Sequence, residues 1–444
     1  MSDNKASFVS ISLVLLIYII MNADQIAKVL DKSNADSPFA VIFSYGFIWS
    51  ILTGISASFY FLVVAFMKKL SPKKIELATR RETLIPVTEI QSKDPNFQPD
   101  LFLKNVGKLA EKLNYAWTQN KMGMVRNLVS AGIHNRFNIQ LKLMDMQGIQ
   151  NLMQDWFLDS VTFAAVESDE VYQTTHVEIH AWARDVNVNK NLPESQKLEL
   201  LQSTPQTDYY EIWSFVRKIG AITKKEGGLL SGNCPNCGAS IEGLGELNQC
   251  KHCKSIINSG DYDWVLAEIT QKIEWSAQSH GSDILKEARE KNPSVNRQVI
   301  EDRASYLFWR WIEARSLGKK EVLKRDASEN FLKQFSSKKE FIENPAVGSV
   351  DLVNISENNG KFFVSVKILW SAAFQKDAEP LHRRNLFTLS LPINVERKGG
   401  LSSNSCESCG APLPESDALN CEYCGAEVPT QVNDWILEGI SKAN

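Results

Sequence analysis

Cysteine is scarce in this 444-residue chain: the eight present are too few for a secreted scaffold stapled by disulfides. A basic surplus is missing as well, since 49 Lys and Arg stand against 52 Asp and Glu for a formal net charge of -3. Dedicated nucleic-acid binders carry clustered positive charge, so that class is disfavoured at the outset. No G-x-S-x-G elbow, P-loop or dinucleotide-binding glycine pattern occurs, which removes the enzyme classes that those motifs serve. What remains is an ordinary globular composition, 43% hydrophobic and 23% charged, which excludes a disordered or collagen-like chain. At roughly 150 residues per domain the length allows two to four domains.

The apolar residues are unevenly placed. No charged residue lies between Ala6 and Ala23 or between Ser37 and Met67, and the second stretch holds fifteen Ile, Leu, Val and Phe between Phe39 and Phe66. At about -0.3 to -0.6 kcal/mol each, those favour insertion by roughly -5 to -9 kcal/mol, and the run exceeds the ~20 residues that cross a bilayer. Phe8 to Met21 reads as a first span; a signal-peptide core is the alternative, although no clear small-x-small cleavage site follows it. Lys68, Lys69, Lys73, Lys74, Arg80 and Arg81 come after the second stretch, so the positive-inside rule puts the bulk of the chain in the cytosol. The expectation is a multi-pass inner (cytoplasmic) membrane protein, integral in lipid through two spans. Residues 71–93, charged and carrying Pro72 and Pro86, read as a juxtamembrane linker.

All eight cysteines fall into C-x-x-C pairs. Cys234 and Cys237 are followed by Cys250 and Cys253; Cys406 and Cys409 are followed by Cys421 and Cys424. A two-residue spacer lets both thiolates of a knuckle face one ion, and two knuckles supply the four sulfurs of a closed tetrahedral Zn²⁺ site. Gly238, Gly410 and Gly425 provide the permissive backbone after the turn. Two structural zinc ions are therefore expected, held by Cys234, Cys237, Cys250 and Cys253 and by Cys406, Cys409, Cys421 and Cys424. Redox chemistry would need a single dithiol at a helix start, and His252 is worse placed than Cys253. A closed Cys₄ site has no open position for water, so the metals argue for folding and against catalysis. Residues 401–430 contain five acidic residues and no Lys or Arg, a surface that repels phosphate, so no nucleic-acid partner is expected.

The ribbons sit inside a larger repeat. Asp263-Trp-Val-Leu and Asp434-Trp-Ile-Leu each begin ten positions after the last cysteine of their set, and each reads as the cap and first turn of a closing amphipathic helix. Upstream, Asp94-Pro-Asn-Phe pairs with Asn292-Pro-Ser-Val, and helical patterns follow over Leu101–Asn120 and Ile300–Arg315. Trp117 and Phe137 share a spacing with Trp311 and Phe331, and Trp182 and Trp370 occupy matching places. Alternating segments typical of strands come next, at 159–167, 171–185 and 209–218 and again at 349–356, 361–374 and 384–392. Helices followed by antiparallel strands describe an α+β half-cone, present twice.

The first copy resembles a Tim44-like domain through Asp94-Pro-Asn-Phe, Leu128-Val-Ser-Ala-Gly-Ile-His-Asn-Arg-Phe137, Ala181-Trp-Ala-Arg-Asp185 and Glu211-Ile-Trp-Ser-Phe215. The Cys₄ ribbon and Tyr262-Asp-Trp-Val-Leu that follow are similar to bacterial membrane proteins of that family. The likeness is weaker over 292–442, where His382-Arg-Arg-Asn-Leu-Phe387 stands in place of Glu-Ile-Trp-Ser-Phe. It implies an NTF2-like fold with a pocket between helices and sheet, attachment to an inner membrane, and scaffolding of membrane machinery. Fold analogy alone fixes no function.

The expected organisation is a transmembrane hairpin (1–70), a linker (71–93), Tim44-like domain 1 (94–228), ribbon 1 (229–258), a helix (259–276), a linker (277–291), Tim44-like domain 2 (292–400), ribbon 2 (401–428) and a C-terminal helix (429–444). The expected function is a non-enzymatic membrane-anchored zinc scaffold for a protein partner, with self-association left open. The alternative is a small-ligand or lipid-headgroup binder using the half-cone pocket. His176, Glu178 and His180 alternate on one strand and face one side of it, where they could line a pocket, bind a second metal or serve an enzyme built on the pocket. The other repeat has Ser365, Lys367 and Leu369 near those places, so exposed strand polarity is the preferred reading. Trp117, Trp182, Trp213, Trp309, Trp311 and Trp370 read as core.

Overall fold

Asp94 and Asn292 open equivalent helices by the same device. The Asp94 carboxylate accepts the Asn96 backbone N–H at 3.2 Å, and the Asn292 side-chain oxygen accepts that of Ser294 at 3.0 Å. These are Asx turns, which commit the chain to a bend just before a helix. The computed structural model describes residues 86–443, apart from 169–170, 225–227, 246, 276–283, 377, 396, 398–400, 402–404, 407, 414–417 and 430–431. The apolar segments expected to span a membrane, 8–21 and 37–67, lie outside the described residues. Among the described residues no helix is long and apolar enough to cross a membrane.

The first repeat runs α1 (Val87–Lys93), α2 (Pro99–Thr118), α3 (Ala131–Met146), β1 (Ile149–Ser168), β2 (Tyr172–Asn189), α4 (Glu194–Ser203), β3 (Thr207–Lys218) and β4 (Val265–Gln271). The second runs α5 (Lys286–Lys291), α6 (Arg297–Leu317), α7 (Glu329–Gln334), β5 (Glu343–Asn358), β6 (Lys361–Ala373), β7 (Leu381–Pro392) and β8 (Ile436–Lys442). Each set of strands forms one antiparallel sheet in sequential order. The α+β expectation is met.

The duplication is written in the hydrogen-bond ladder. In β1 the register shifts at Gln154/Phe157, Leu158/Ser160 and Phe163/Ala165; in β5 it shifts at Glu343/Ala346, Val347/Ser349 and Leu352/Asn354. The two triplets have the same spacing. Bulges bend a strand and increase its twist, so three of them curl each sheet around the helices on its inner face.

The closing segments, expected as helices at 259–276 and 429–444, are instead the strands β4 and β8. A seven-residue segment of mixed polarity is too short to distinguish a helix from a strand by period; the open edge of β3 or β7 decides, because its backbone groups need partners. Asp263 caps no helix. Its carboxylate accepts the backbone N–H groups of Leu229 and Trp264, both at 2.8 Å. Asp434 likewise accepts from Trp435 at 2.7 Å and is clasped by the Arg397 guanidinium.

Register also corrects the side-chain correspondence. Phe215 pairs with Leu266 and Leu389 with Leu437; one strand inward, Thr175 faces Phe215 and Val364 faces Leu389. Counting along the strands, Trp370 corresponds to Ala181, Phe374 to Asp185 and Phe387 to Trp213. Trp182 points to the opposite face from Ala181 and has no counterpart in Trp370. In the helices, Lys121 donates to the Ala116 carbonyl as Lys319 does to that of Ala314, so Trp311 matches Leu113 and Phe308 matches Ala110. The shared Trp-to-Phe spacing is coincidence.

Aromatic rings fill the corresponding space in the second repeat. Phe308, Trp311, Trp370 and Phe387 interlock with ring centroids 5.3 to 6.2 Å apart. Helix α6 is buried nearly all round, as a helix must be when it is covered on both sides. Its second cover is α3 of the first repeat. Ile139 and Leu143 of α3 join the second core, Lys142 pairs with Glu313 at 2.6 Å, and the Arg136 guanidinium lies over Trp309 at 5.5 Å.

Between the repeats lies a small cavity of about 120 Å³ whose lining includes Glu167, His176, Ser214, Glu268, Asp302 and Ser305. Asp302 is buried there, one carboxylate oxygen lacking a hydrogen-bond partner. Burial, with a contribution from the Glu268 charge and against a hydrogen bond from Ser130, pushes its pKa up to about 8. The folded state therefore binds a proton that the unfolded chain releases above its ordinary value of 3.8. Stability is present below that value and is lost as pH rises toward about 8. Denaturant titrations across this window are expected to show that decline in the native chain and a flatter profile in Asp302→Asn.

Candidate functional site

Each cysteine knuckle is a closed turn. The residue after the second cysteine donates its N–H to the carbonyl of the first: Gly238 to Cys234, Gly410 to Cys406 and Gly425 to Cys421 at 2.8 Å, Lys254 to Cys250 at 3.0 Å. The four donors have φ of +79°, +71°, +73° and +62°. Glycine enters that region without steric cost, whereas Lys254 does so under strain.

The turns bring the eight sulfurs into two groups of four, each group lying within 4.8 Å. Cys234 Sγ is 3.7 Å from Cys253 Sγ and Cys237 Sγ 3.7 Å from Cys250 Sγ; the Cys406–Cys424 and Cys409–Cys421 separations are also 3.7 Å. Four sulfurs at about 2.3 Å from a central ion would stand about 3.8 Å apart, so both groups fit a tetrahedral metal ion. Burial pushes the Cys234 thiol up to about 12; at Cys253 burial acts the same way, but hydrogen bonds led by Ser255 bring it down to about 6. Thiols this crowded do not all ionise without a cation among them. His252 is exposed and outside the group.

Each ribbon is an insertion between the third and fourth strands of its sheet. Asp263 ties the first to Leu229 at the ribbon's start. The ribbons also meet each other: the Asn248 backbone N–H donates to the Gly410 carbonyl at 3.4 Å and its side chain to Ser405 Oγ at 3.1 Å. Arg126, buried beneath the first repeat's helices, donates to the same Ser405 hydroxyl at 3.0 Å. The second ribbon thereby closes back on the first repeat.

A larger cavity, about 520 Å³, opens inside the first half-cone. Its walls are aromatic: Trp117, Phe137, Trp156, Tyr209 and Trp213. Two carboxylates face it. Glu211 accepts from Trp213 Nε1 at 2.9 Å and Gln271 Nε2 at 3.2 Å; Asp185 accepts from Asn151 Nδ2 at 2.5 Å. Trp156 Nε1 donates to the Tyr209 hydroxyl at 2.7 Å. Burial raises both carboxyls above their ordinary range, and burial together with the Glu211 charge pushes Tyr209 up to about 12. The residues Asn344, Pro345, Ala346 and Val347 of the second repeat complete the wall.

These acids were not read from the sequence, although a signal existed: Asp185 and Glu211 interrupt strand faces otherwise carrying Ile179, Ala181, Ala183, Trp213 and Phe215. The trio that was read, His176, Glu178 and His180, forms no joint site. His176 is buried, bonded to Ser214 Oγ at 2.9 Å and packed on Trp275, so it is not the exposed residue expected. Glu178 pairs with Lys272 at 2.8 Å. His180 sits between Asp159 and Asp208 at 2.7 and 3.3 Å and stacks on Tyr210. Of the tryptophans, Trp213, Trp309 and Trp370 are buried, while Trp117 and Trp311 pack at core margins.

No family model matches the chain, and no curated protein matches it. One similar solved structure is described as an "Ntf2 like protein involved in plasmid conjugation", with 12% identity and a TM-score of 0.17 over 64% of this chain and 90% of that chain. So loose a likeness assigns neither fold nor function.

Elemental analysis of the purified chain is expected to return two metal ions per molecule; one or none would remove at least one site. The ribbon contact is tested by glycine. Gly425→Ala meets open space and should cost about 1 kcal/mol for its left-handed backbone. Gly410→Ala would drive its Cβ into Asn248 Oδ1 and to 2.8 Å from the Gln249 nitrogen, and should cost about 2 kcal/mol or more when both variants are compared by denaturant unfolding.

Proposed function

We propose that the chain is a non-catalytic, zinc-stabilised scaffold, held at the inner membrane by its two apolar segments, that presents two half-cone units as one block to a protein partner. The observation that carries this reading is the interlocking of the repeats. Helix α3 of the first completes the core of the second, and the second ribbon docks on the first. Such an arrangement fixes surfaces relative to each other instead of stringing independent modules. Zinc suits the four-sulfur groups and adds apparent binding energy of about 10 to 16 kcal/mol per site in peptide systems, which is folding energy where no site exists in the unfolded chain. The resemblance of 94–271 to Tim44-like domains turns the scaffold toward membrane-complex assembly or protein translocation.

A second reading, a small-ligand binder, is favoured by the cavity in the first repeat. Its volume lies within the range of about 300 to 1,000 Å³ usual for ligand pockets.

Carbonate extraction and photo-crosslinking in native membranes test the scaffold. The chain should stay in the membrane pellet, and probes at the exposed Phe157 and Tyr210 should capture a discrete protein partner. Release by carbonate together with an absence of crosslinked protein would sink the scaffold reading.

A further inference from the structure

The two repeats share a backbone plan but differ in what fills it. The space occupied in the second repeat by Phe308, Trp311, Trp370 and Phe374 belongs in the first to Ala110, Leu113, Ala181 and Asp185, by the strand and helix registers given above. Large side chains on one side and small ones on the other leave the second half-cone filled and the first open. Core packing tolerates few voids larger than a water molecule, so a cavity of about 520 Å³ in one copy of a unit whose other copy fills the equivalent space with rings marks a place kept for something else.

Resting on the small-ligand reading, we infer that the first half-cone takes a small organic cation, an ammonium or amidinium group carried on an apolar body. Glu211 and Asp185 bring two carboxylates to the cavity, and the donors they receive are neutral: indole N–H from Trp213, amide N–H from Gln271 and Asn151. Among the described residues no Lys or Arg forms an ion pair with either. Arg136 is the one cation on the wall; its Nη1 is held by Glu268 at 2.9 Å and by the Ile269 carbonyl at 2.5 Å, and its charge is also felt by Glu211 without a direct ion pair. The walls suit the same ligand, because the electron-rich faces of Trp117, Phe137, Trp156 and Trp213 attract a cation that has shed water. An anion would meet two carboxylates against the single, already shared charge of Arg136. The second repeat has Asn385 where the first has Glu211, and Phe374 where it has Asp185, so the charge and the space disappear together.

The test is isothermal titration of the full-length chain with three molecules of one shape: phenethylamine, 2-phenylethanol and phenylacetate. The amine should bind, tightening as pH rises above the ordinary carboxylate range while the two carboxyls, held up by burial, ionise; the alcohol and the carboxylate should bind at least tenfold more weakly. Glu211→Gln should weaken the amine at least tenfold and Asp185→Asn several-fold. Ala181→Trp, which installs the second repeat's plug, should abolish binding while leaving metal content and circular dichroism unchanged. Equal binding of the alcohol, lost in Ala181→Trp, would overturn the cation class and leave the pocket reading standing. No binding of any of the three, or amine binding untouched by all three substitutions, would overturn both.

Discussion

Each sheet in this protein is closed by a strand that the chain reaches only after folding round four sulfurs. β3 ends at Lys218 and β4 begins at Val265; between them lie Cys234, Cys237, Cys250 and Cys253. The same detour separates β7 from β8. The ribbon therefore sets where the closing strand starts. Asp263 and Asp434, bonded to the backbone at the start of those strands, turn a metal-held loop into a fixed register. The burial of Trp264 and Trp435, the cover over the open edge and the docking of one ribbon on the other all follow from that placement.

Duplication supplied two copies of this plan, and fusion made them unequal. In the first copy α3 is long, sixteen residues, whereas its counterpart α7 has six. The long helix serves both repeats, lining the first half-cone with Phe137 and packing Ile139 and Leu143 into the second core. The second copy fills its interior with aromatic rings and lends residues 344–347 to the wall of its neighbour's cavity. One repeat braces and the other is open. Burying Asp302 and His176 between them leaves one polar atom of each without a hydrogen bond, a cost that apolar contact across the same interface must offset.

Much of this was legible in the sequence because its signals are discrete. Four C-x-x-C pairs leave no cysteine over, and the Asp94 and Asn292 turns announce themselves by composition. The strand segments alternate as half-buried strands do. What was illegible depended on partners far along the chain. Asp263-Trp-Val-Leu has the length of a strand and the opening residue of a helix, and only the waiting edge of β3 decides between them. Trp182 and Trp370 look equivalent by spacing, yet a one-residue offset on a strand puts a side chain on the other face. Glu211 and Asp185 look like ordinary polar positions in the sequence, and only the folded sheet brings them to one cavity. The apolar segments before residue 86 are legible only as sequence, since they lie outside the described residues.

If the ribbons set the register of the closing strands, removing metal must loosen both sheets at one edge. Hydrogen exchange of the full-length chain, with and without a chelator, measures that directly at 265–271 and 436–442. The account predicts that both segments lose protection when the ions leave, while β2 and β6 at the sheet centres keep theirs. Metal release with β4 and β8 still fully protected would contradict it.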